Sequence, residues 1–124
     1  MKQVSESEML HRAAAYCSAS ERCIQDVEKK IKAAGLAGEE SDRIVSRLLQ
    51  ERFIDESRFA RYFVNDKLRF NKWGRVKINY EMQRKGIPSS IRSEALEGID
   101  EQEYRSILLS LLKSKKKATR GKDE

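Results

Sequence analysis

Residues 27–36 of this chain read VEKKIKAAGL, and residues 78–87 read INYEMQRKGI. At an offset of 51 positions, Val27 matches Ile78, Ile31 matches Met82, Gly35 matches Gly86 and Leu36 matches Ile87. Two apolar residues four positions apart lie on one face of a helix, and the glycine after them is typical of a left-handed helix C-terminus. A repeat of this period is typical of stacked helical units.

The internal repeat continues past both glycines at shorter offsets. Ile44, Leu48 and Leu49 match Ile91, Ala95 and Leu96, and Ile54, Asp55, Phe59 and Phe63 match Ile99, Asp100, Tyr104 and Leu108. Every set has helical spacing, so the order helix, helix, helix occurs twice. We therefore predict an elongated all-α fold of two tandem three-helix repeats, preceded by a short N-terminal helix.

The composition supports a helical array and indicates the charge of its partner. Of 124 residues, 39% are hydrophobic and 37% are charged, and six glycines and one proline leave few breaks in the helices. A thick single core is not expected from so polar a chain. The net charge of +6 favours either a polyanion or an acidic protein surface as the binding partner.

Local signals place the helix ends. A capping box at Ser5 opens a first helix that ends near Tyr16, and the stretch 18–21 reads as the start of the next helix. Asp55 is predicted to be an N-cap with Phe59 and Phe63 buried behind it. We divide the chain into an N-terminal helix (1–17), a first repeat (18–72), a second repeat (73–114) and a basic flexible tail (115–124).

The best candidate for partner binding is the basic stretch from Lys67 to Lys85, in which Glu81 is the only acid. Its cations are Lys67, Arg69, Lys72, Arg75, Lys77, Arg84 and Lys85. They are interleaved with Phe70, Trp73 and Tyr80, a mixture that suits a nucleic-acid groove, although an ordinary solvated surface has the same composition. For Trp73 and Phe70 we favour a wedge between the repeats over base stacking. Lys115, Lys116 and Lys117 in the tail are weaker candidates for the same role.

Enzymatic and metal-dependent functions are not expected. His11 has no nucleophile or carboxylate arranged around it, and the acidic cluster of Glu39, Glu40 and Asp42 is explained by the positive end of a helix dipole. We predict no cofactor and no bound metal. Cys17 and Cys23 are predicted to be reduced thiols, and Cys23, which has the helical phase of Val27 and Ile31, is predicted to be a buried structural thiol rather than a reactive or bridged one. Without a long apolar run or an N-terminal signal sequence, we expect a cytoplasmic protein.

A series of motifs resembles one known family. Residues 53–64 read FIDESRFARYFV, and they are followed by Trp73-Gly74 and by Arg84-Lys85-Gly86-Ile87. This series resembles the signature of the RecX family of bacterial recombination regulators, and Asp55, Phe59, Phe63, Gly35, Gly74 and Gly86 form its structural framework. The resemblance implies a helical-repeat protein that binds RecA along the groove of its filament on DNA, and that modulates recombinase and coprotease activities in DNA repair and the SOS response.

Two functional hypotheses follow. In the first, the chain is a monomeric, non-enzymatic regulator of RecA that contacts DNA directly or through RecA. In the second, it is an independent helical module that binds nucleic acid through its basic surface. The commonly described family member has three repeats, whereas two are predicted here, so any contact that depends on the third repeat is absent from this prediction.

Overall fold

The computed structural model describes the backbone of residues 4–123 and the side chains of residues 4–113. Within that range the chain is all-α, as predicted. Its helices are α1 (Glu6–Ala19), α2 (Ile24–Ala33), α3 (Glu39–Gln50), α4 (Glu56–Arg69), α5 (Arg75–Arg84), α6 (Ser89–Glu97) and α7 (Glu101–Asp123).

Two separate cores organise these helices into two three-helix units. The first unit, α1 to α3, buries Met9, Ala13, Cys17, Val27, Ile31, Leu36, Ile44, Val45, Leu48 and Ile54 together. The second unit, α4 to α6, buries Phe59, Ala60, Phe63, Val64, Leu68, Ile78, Met82, Ile87, Ala95 and Ile99. The predicted pair of three-helix repeats is therefore confirmed.

The division of helices between the units differs from the division made on the sequence. The range 18–72 would group α4 with α2 and α3, but the buried stripe of α4 packs against α5 and α6. The range 1–17 would set α1 apart, but Met9 and Ala13 complete the core of α2 and α3. Apolar spacing within a helix identifies its buried face but carries no information about which neighbour covers that face.

The capping residues behave as their types predict. Gly35 and Gly86 have φ of 93° and 79°, in the left-handed region that favours glycine. Asp55 caps α4, because its Oδ1 accepts the backbone N–H of Arg58 at 3.0 Å.

The start of α2 was predicted wrongly. The first helix continues to Ala19, and α2 begins after Cys23, whose backbone N–H donates to Asp26 at 3.3 Å.

The same first-helix pattern begins α1, α4 and α7. An apolar residue, an N-cap and two apolar residues at helical spacing recur as Val4, Ser5, Met9 and Ala13, as Ile54, Asp55, Phe59 and Phe63, and as Ile99, Asp100, Tyr104 and Leu108. By this pattern α7 corresponds to the first helix of a further unit. Its backbone is helical to Asp123, through the range that the sequence predicted as a flexible tail.

The joints between units also repeat. At the first joint the backbone N–H of Ile24, which opens α2, donates to Glu56 of α4 at 3.1 Å. At the second joint the backbone N–H of Arg75, which opens α5, donates to the hydroxyl of Tyr104 in α7 at 3.2 Å. Each first helix thus caps the second helix of the preceding unit. These contacts hold α4 on the first unit and α7 on the second.

Candidate partner-binding surface on the second unit

The predicted cations lie on three parts of the second unit. Lys67 and Arg69 are in the last turn of α4, Lys72 is in the following loop, and Arg75, Lys77, Arg84 and Lys85 belong to α5 or its C-cap. The side chains of Lys115, Lys116 and Lys117 lie outside the described residues. The surface is therefore built by the α4–α5 hairpin, whose loop ends at Gly74, the N-cap of α5.

Two of these cations are neutralised by the first turn of α7. The Arg69 Nε lies 2.6 Å from Glu103 Oε1, and Arg75 forms an ion pair with Glu101. The Glu103 carboxylate raises the pKa of the Arg69 guanidinium, which stays charged. Negative charge in the first turn also suits the helix dipole of α7. These two arginines therefore hold α7 against the second unit.

A third cation ties the second unit to the first. Lys85 Nζ lies 3.1 Å from Asp26 Oδ1, and both side chains are partly buried. Burial by itself would raise the pKa of Asp26, but the hydrogen bonds from the Cys23 backbone N–H and the Lys85 ammonium lower it below its ordinary value. Lys85 thus has a structural partner, and no local pattern indicates this pairing because the two residues are 59 positions apart in the chain.

Cys23 belongs to the same joint. Although it precedes α2, its side chain is fully buried in the core of the second unit. Burial raises the pKa of this thiol to about 11, so it is protonated at neutral pH. Both cysteines are buried and unpaired. The predicted burial of Cys23 is confirmed, although Cys23 lies in the second core and not in the first core with Val27 and Ile31. Cys23 packs as a small apolar side chain where the two units meet, rather than serving as a reactive group.

The aromatic residues of the basic stretch have different environments. Trp73 packs edge-on against Phe63, with ring centroids 6.3 Å apart, and so belongs to the core of the second unit. Lys77 and Lys67 lie over its ring, with Nζ 4.5 and 5.2 Å from the centroid. Phe70 is 80% exposed. The predicted wedge between the repeats is therefore wrong for Phe70, which is exposed to solvent, and Trp73 packs within the second unit.

The outward side of α5 combines apolar and basic side chains. Val76 is 86% exposed and Tyr80 is 57% exposed, whereas Ile78 and Met82 on the opposite side are fully buried. The Arg84 guanidinium lies 6.0 Å from the centre of the Tyr80 ring. Val76 was missed in the sequence analysis, although its helical phase, opposite to that of Ile78 and Met82, marks it as an exposed position.

The other candidate groups have ordinary structural partners. His11 is exposed and its Nδ1 lies 3.0 Å from the Ser7 carbonyl oxygen. Glu39 and Asp42 lie in the first turn of α3, as the dipole argument predicted. The described residues contain no cluster of His, Cys, Asp or Glu suited to a metal ion. Within the same residues, no helix is long and apolar enough to cross a membrane.

Comparison with known proteins identifies the second unit directly. The family model for the second three-helix domain of RecX matches residues 55–96, which comprise α4, α5 and α6. The regulatory protein RecX of Prosthecochloris aestuarii is 33% identical over 91 residues, covering 73% of this chain and 60% of that protein. The regulatory protein RecX of Lactobacillus johnsonii is 27% identical over 103 residues, covering 83% of this chain and 38% of the relative. This chain therefore spans less than two thirds of either relative's length.

The fold agrees with the same family. The crystal structure of RecX from Lactobacillus salivarius superimposes with a TM-score of 0.79 at 21% sequence identity, over 96% of this chain and 76% of that one. At this identity the likeness concerns the fold alone. Together, the domain match, the sequence relatives and the paired three-helix units show that this chain belongs to the RecX family of regulatory proteins.

Proposed function

We propose that this chain binds RecA filaments on DNA and inhibits their recombinase and coprotease activities. The observation that carries the proposal is the position of the RecX domain match, which falls on the unit that presents the basic α4–α5 hairpin. A positively charged surface is attracted to a filament that contains DNA. The regulation would then arise from occupancy of the filament surface rather than from chemistry on a substrate.

The joint between the units supports binding to a repeating partner. Arg58 of α4 lies 2.7 Å from Glu21 and also donates to the carbonyl oxygens of Arg52 and Phe53. Lys85 and Asp26 form a second link across the joint. These contacts link the two units at the joint. A tandem array whose units are linked in this way suits the regular spacing of subunits in a filament better than two unlinked units would.

The test measures RecA ATP hydrolysis on single-stranded DNA while this protein is titrated. We expect dose-dependent inhibition by the wild-type chain and weaker inhibition by a double variant, Lys77→Glu with Arg84→Glu. The matched control is Lys29→Glu with Lys32→Glu on the exposed side of α2, which changes the net charge by the same amount. Arg75 is left intact because its reversal would break the ion pair with Glu101.

Three results distinguish the hypotheses. No inhibition by the wild-type chain would refute the proposed function. Equal loss in the two double variants would show that net charge matters and that the α4–α5 hairpin does not. The alternative function, an independent nucleic-acid-binding module, is favoured by the two lysines over Trp73. It predicts tight binding to single-stranded DNA without RecA, with an affinity that falls steeply as salt rises, by about 0.7 log units per log unit of salt for each phosphate contact.

A further inference from the structure

We propose that the outer face of α5, formed by Val76, Lys77, Tyr80 and Arg84, docks an acidic segment of a partner protein that places an apolar side chain beside Tyr80. The identity of that partner as RecA rests on the proposed function, but the chemistry of the surface does not. Nucleic acid is the competing occupant. The solvent exposure of these residues, their charge and the comparison with the first unit favour the protein segment.

The four residues form one continuous stripe. At 3.6 residues per turn, they fall within about 100° of the helix circumference, on the side opposite Ile78 and Met82. Val76 and Tyr80, one turn apart, are 86% and 57% exposed. A branched aliphatic residue and an aromatic residue so exposed on adjacent turns leave an apolar strip in contact with water. Covering such a strip is favourable, and tyrosine is among the residues most enriched at protein interfaces.

The charge beside the strip selects an acidic partner. Lys77 forms no ion pair with any carboxylate among the described side chains, and Arg84 is 64% exposed. Its one acidic neighbour, Glu81, lies 3.3 Å away but is itself only 26% exposed. Because the arginine end of this pair is open to water, which weakens the attraction, Arg84 can exchange Glu81 for a partner's carboxylate at small cost. Arginine beside tyrosine is also a frequent combination at binding hot spots.

A protein suits this face better than nucleic acid does. Of the cations that the sequence assigned to phosphate binding, Arg69, Arg75 and Lys85 already have carboxylate partners. Because Glu101 and Glu103 neutralise Arg75 and Arg69, these two arginines are not available to phosphates. A nucleic-acid groove gains its affinity from dense cations and stacking rings, and the highly exposed Val76 of this surface is neither.

The corresponding face of the first unit lacks the same features. At the offset of 51, Val76, Lys77, Tyr80 and Arg84 correspond to Gln25, Asp26, Lys29 and Ala33 of α2. Both α2 and α5 need a buried apolar face to fold, since Val27 and Ile31 of α2 are buried just as Ile78 and Met82 of α5 are. The apolar strip is therefore not needed to build the unit. It distinguishes the second unit as the one that docks a partner.

Two binding assays test the proposal with the single variants Val76→Ser and Tyr80→Ser. The matched control is Tyr62→Ser on α4, which removes another exposed tyrosine, 46% exposed, away from this face. In the first assay, the proteins bind to immobilised filaments of RecA on single-stranded DNA. We expect Tyr80→Ser to weaken binding about tenfold or more, as loss of an interface hot spot does, and Tyr62→Ser to have no effect. Circular dichroism should show equal helicity in all variants.

The second assay does not depend on RecA. A labelled peptide of alternating glutamate, aspartate and leucine, and an oligothymidine of equal charge, are titrated separately while the amide resonances of residues 76–84 are followed by NMR. We expect the peptide to shift these resonances in the wild-type chain and not in Tyr80→Ser. If the oligothymidine shifts them and the peptide does not, the face binds nucleic acid and the inference is wrong.

The failures of the two proposals are distinguishable. If the wild-type chain does not bind the filaments but the peptide binds the outer face of α5, the proposed function fails and the docking surface stands. If the wild-type chain binds the filaments and both serine variants bind equally well, the docking surface is refuted and the proposed function stands. Equal weakening by Tyr62→Ser would also refute a surface confined to α5.

Discussion

Replacing Tyr104 by phenylalanine should loosen the attachment of α7 to the second unit. The N-cap of α5 is Gly74, which has no side chain to satisfy the free backbone N–H groups of that helix. The Tyr104 hydroxyl supplies the missing acceptor, with the Arg75 backbone N–H donating to it at 3.2 Å. Tyr104→Phe removes this bond and leaves the ring, over which Arg75 lies at 4.1 Å, in place.

The expected cost is about 1 kcal/mol, the typical value for losing an N-cap acceptor or one partly buried hydrogen bond. In a domain of this size the loss corresponds to a decrease in melting temperature of about 3 to 5 °C. Urea denaturation measures the free energy of unfolding directly. The control is Tyr62→Phe, since no hydrogen bond of the Tyr62 hydroxyl is seen among the described residues and it is exposed.

A second substitution, at Gly74, tests whether the Tyr104 hydroxyl caps α5. A Cβ at Gly74 would lie 3.4 Å from the Tyr104 hydroxyl, and the backbone there, with φ of −80°, accepts any residue. Gly74→Ser should therefore restore stability in the Tyr104→Phe background by providing a serine cap in the vacated space. In the wild-type background it should add little. Equal effects of Gly74→Ser in both backgrounds, or an unchanged stability of Tyr104→Phe, would refute the capping role of Tyr104.

Three further measurements check the core, the caps and the thiol. Phe59→Ala should lower the free energy of unfolding by about 3 to 5 kcal/mol, because it empties a fully packed site in the second core; an unchanged thermal melt would contradict this. The hydrogen bond from the Arg58 backbone N–H lowers the pKa of Asp55, so its stabilisation is complete above the unfolded pKa and is lost as pH falls through the lower, folded value. Asparagine can also cap a helix but does not titrate, so Asp55→Asn should lose less free energy of unfolding than the wild type as pH falls, measured in a pH series of urea melts. The same loss in both proteins at low pH would count against the role of Asp55. Cys23, fully buried with a thiol pKa of about 11, should react with iodoacetamide only on unfolding, so rapid labelling of the native protein would show that the joint opens.

Much of the fold could be predicted because its signals are local. Gly35 and Gly86 end helices with a left-handed residue, and Asp55 begins one, and each depends on atoms within about one turn of the chain. The start of α2 was harder to predict. The serine-rich stretch 18–21 has the composition of a cap, but α1 extends into it, and the Ser18 hydroxyl donates to the Ala14 carbonyl oxygen instead.

The candidate surface could be predicted only in outline. The charge of the α4–α5 hairpin was evident from composition, but charge alone gave all seven cations the same role. Glu101 and Glu103 neutralise two of them because α7 docks beside the hairpin. No property of Arg69 or Arg75 within its own helix indicates such a partner. The sequence therefore overestimated the basic surface and underestimated its apolar part, which includes Val76.

Most helices, several of their caps, the two copies of the unit and the family resemblance are evident from the amino-acid sequence, because they depend on residue type and on spacing along one helix. The packing of the helices is needed to see which helices share a core, which cations are free to meet a partner, and that α7 continues the series of first helices. These properties depend on distances between residues far apart in the chain, such as Lys85 and Asp26. Pairing across such distances is set by how whole helices pack, and no local pattern encodes it.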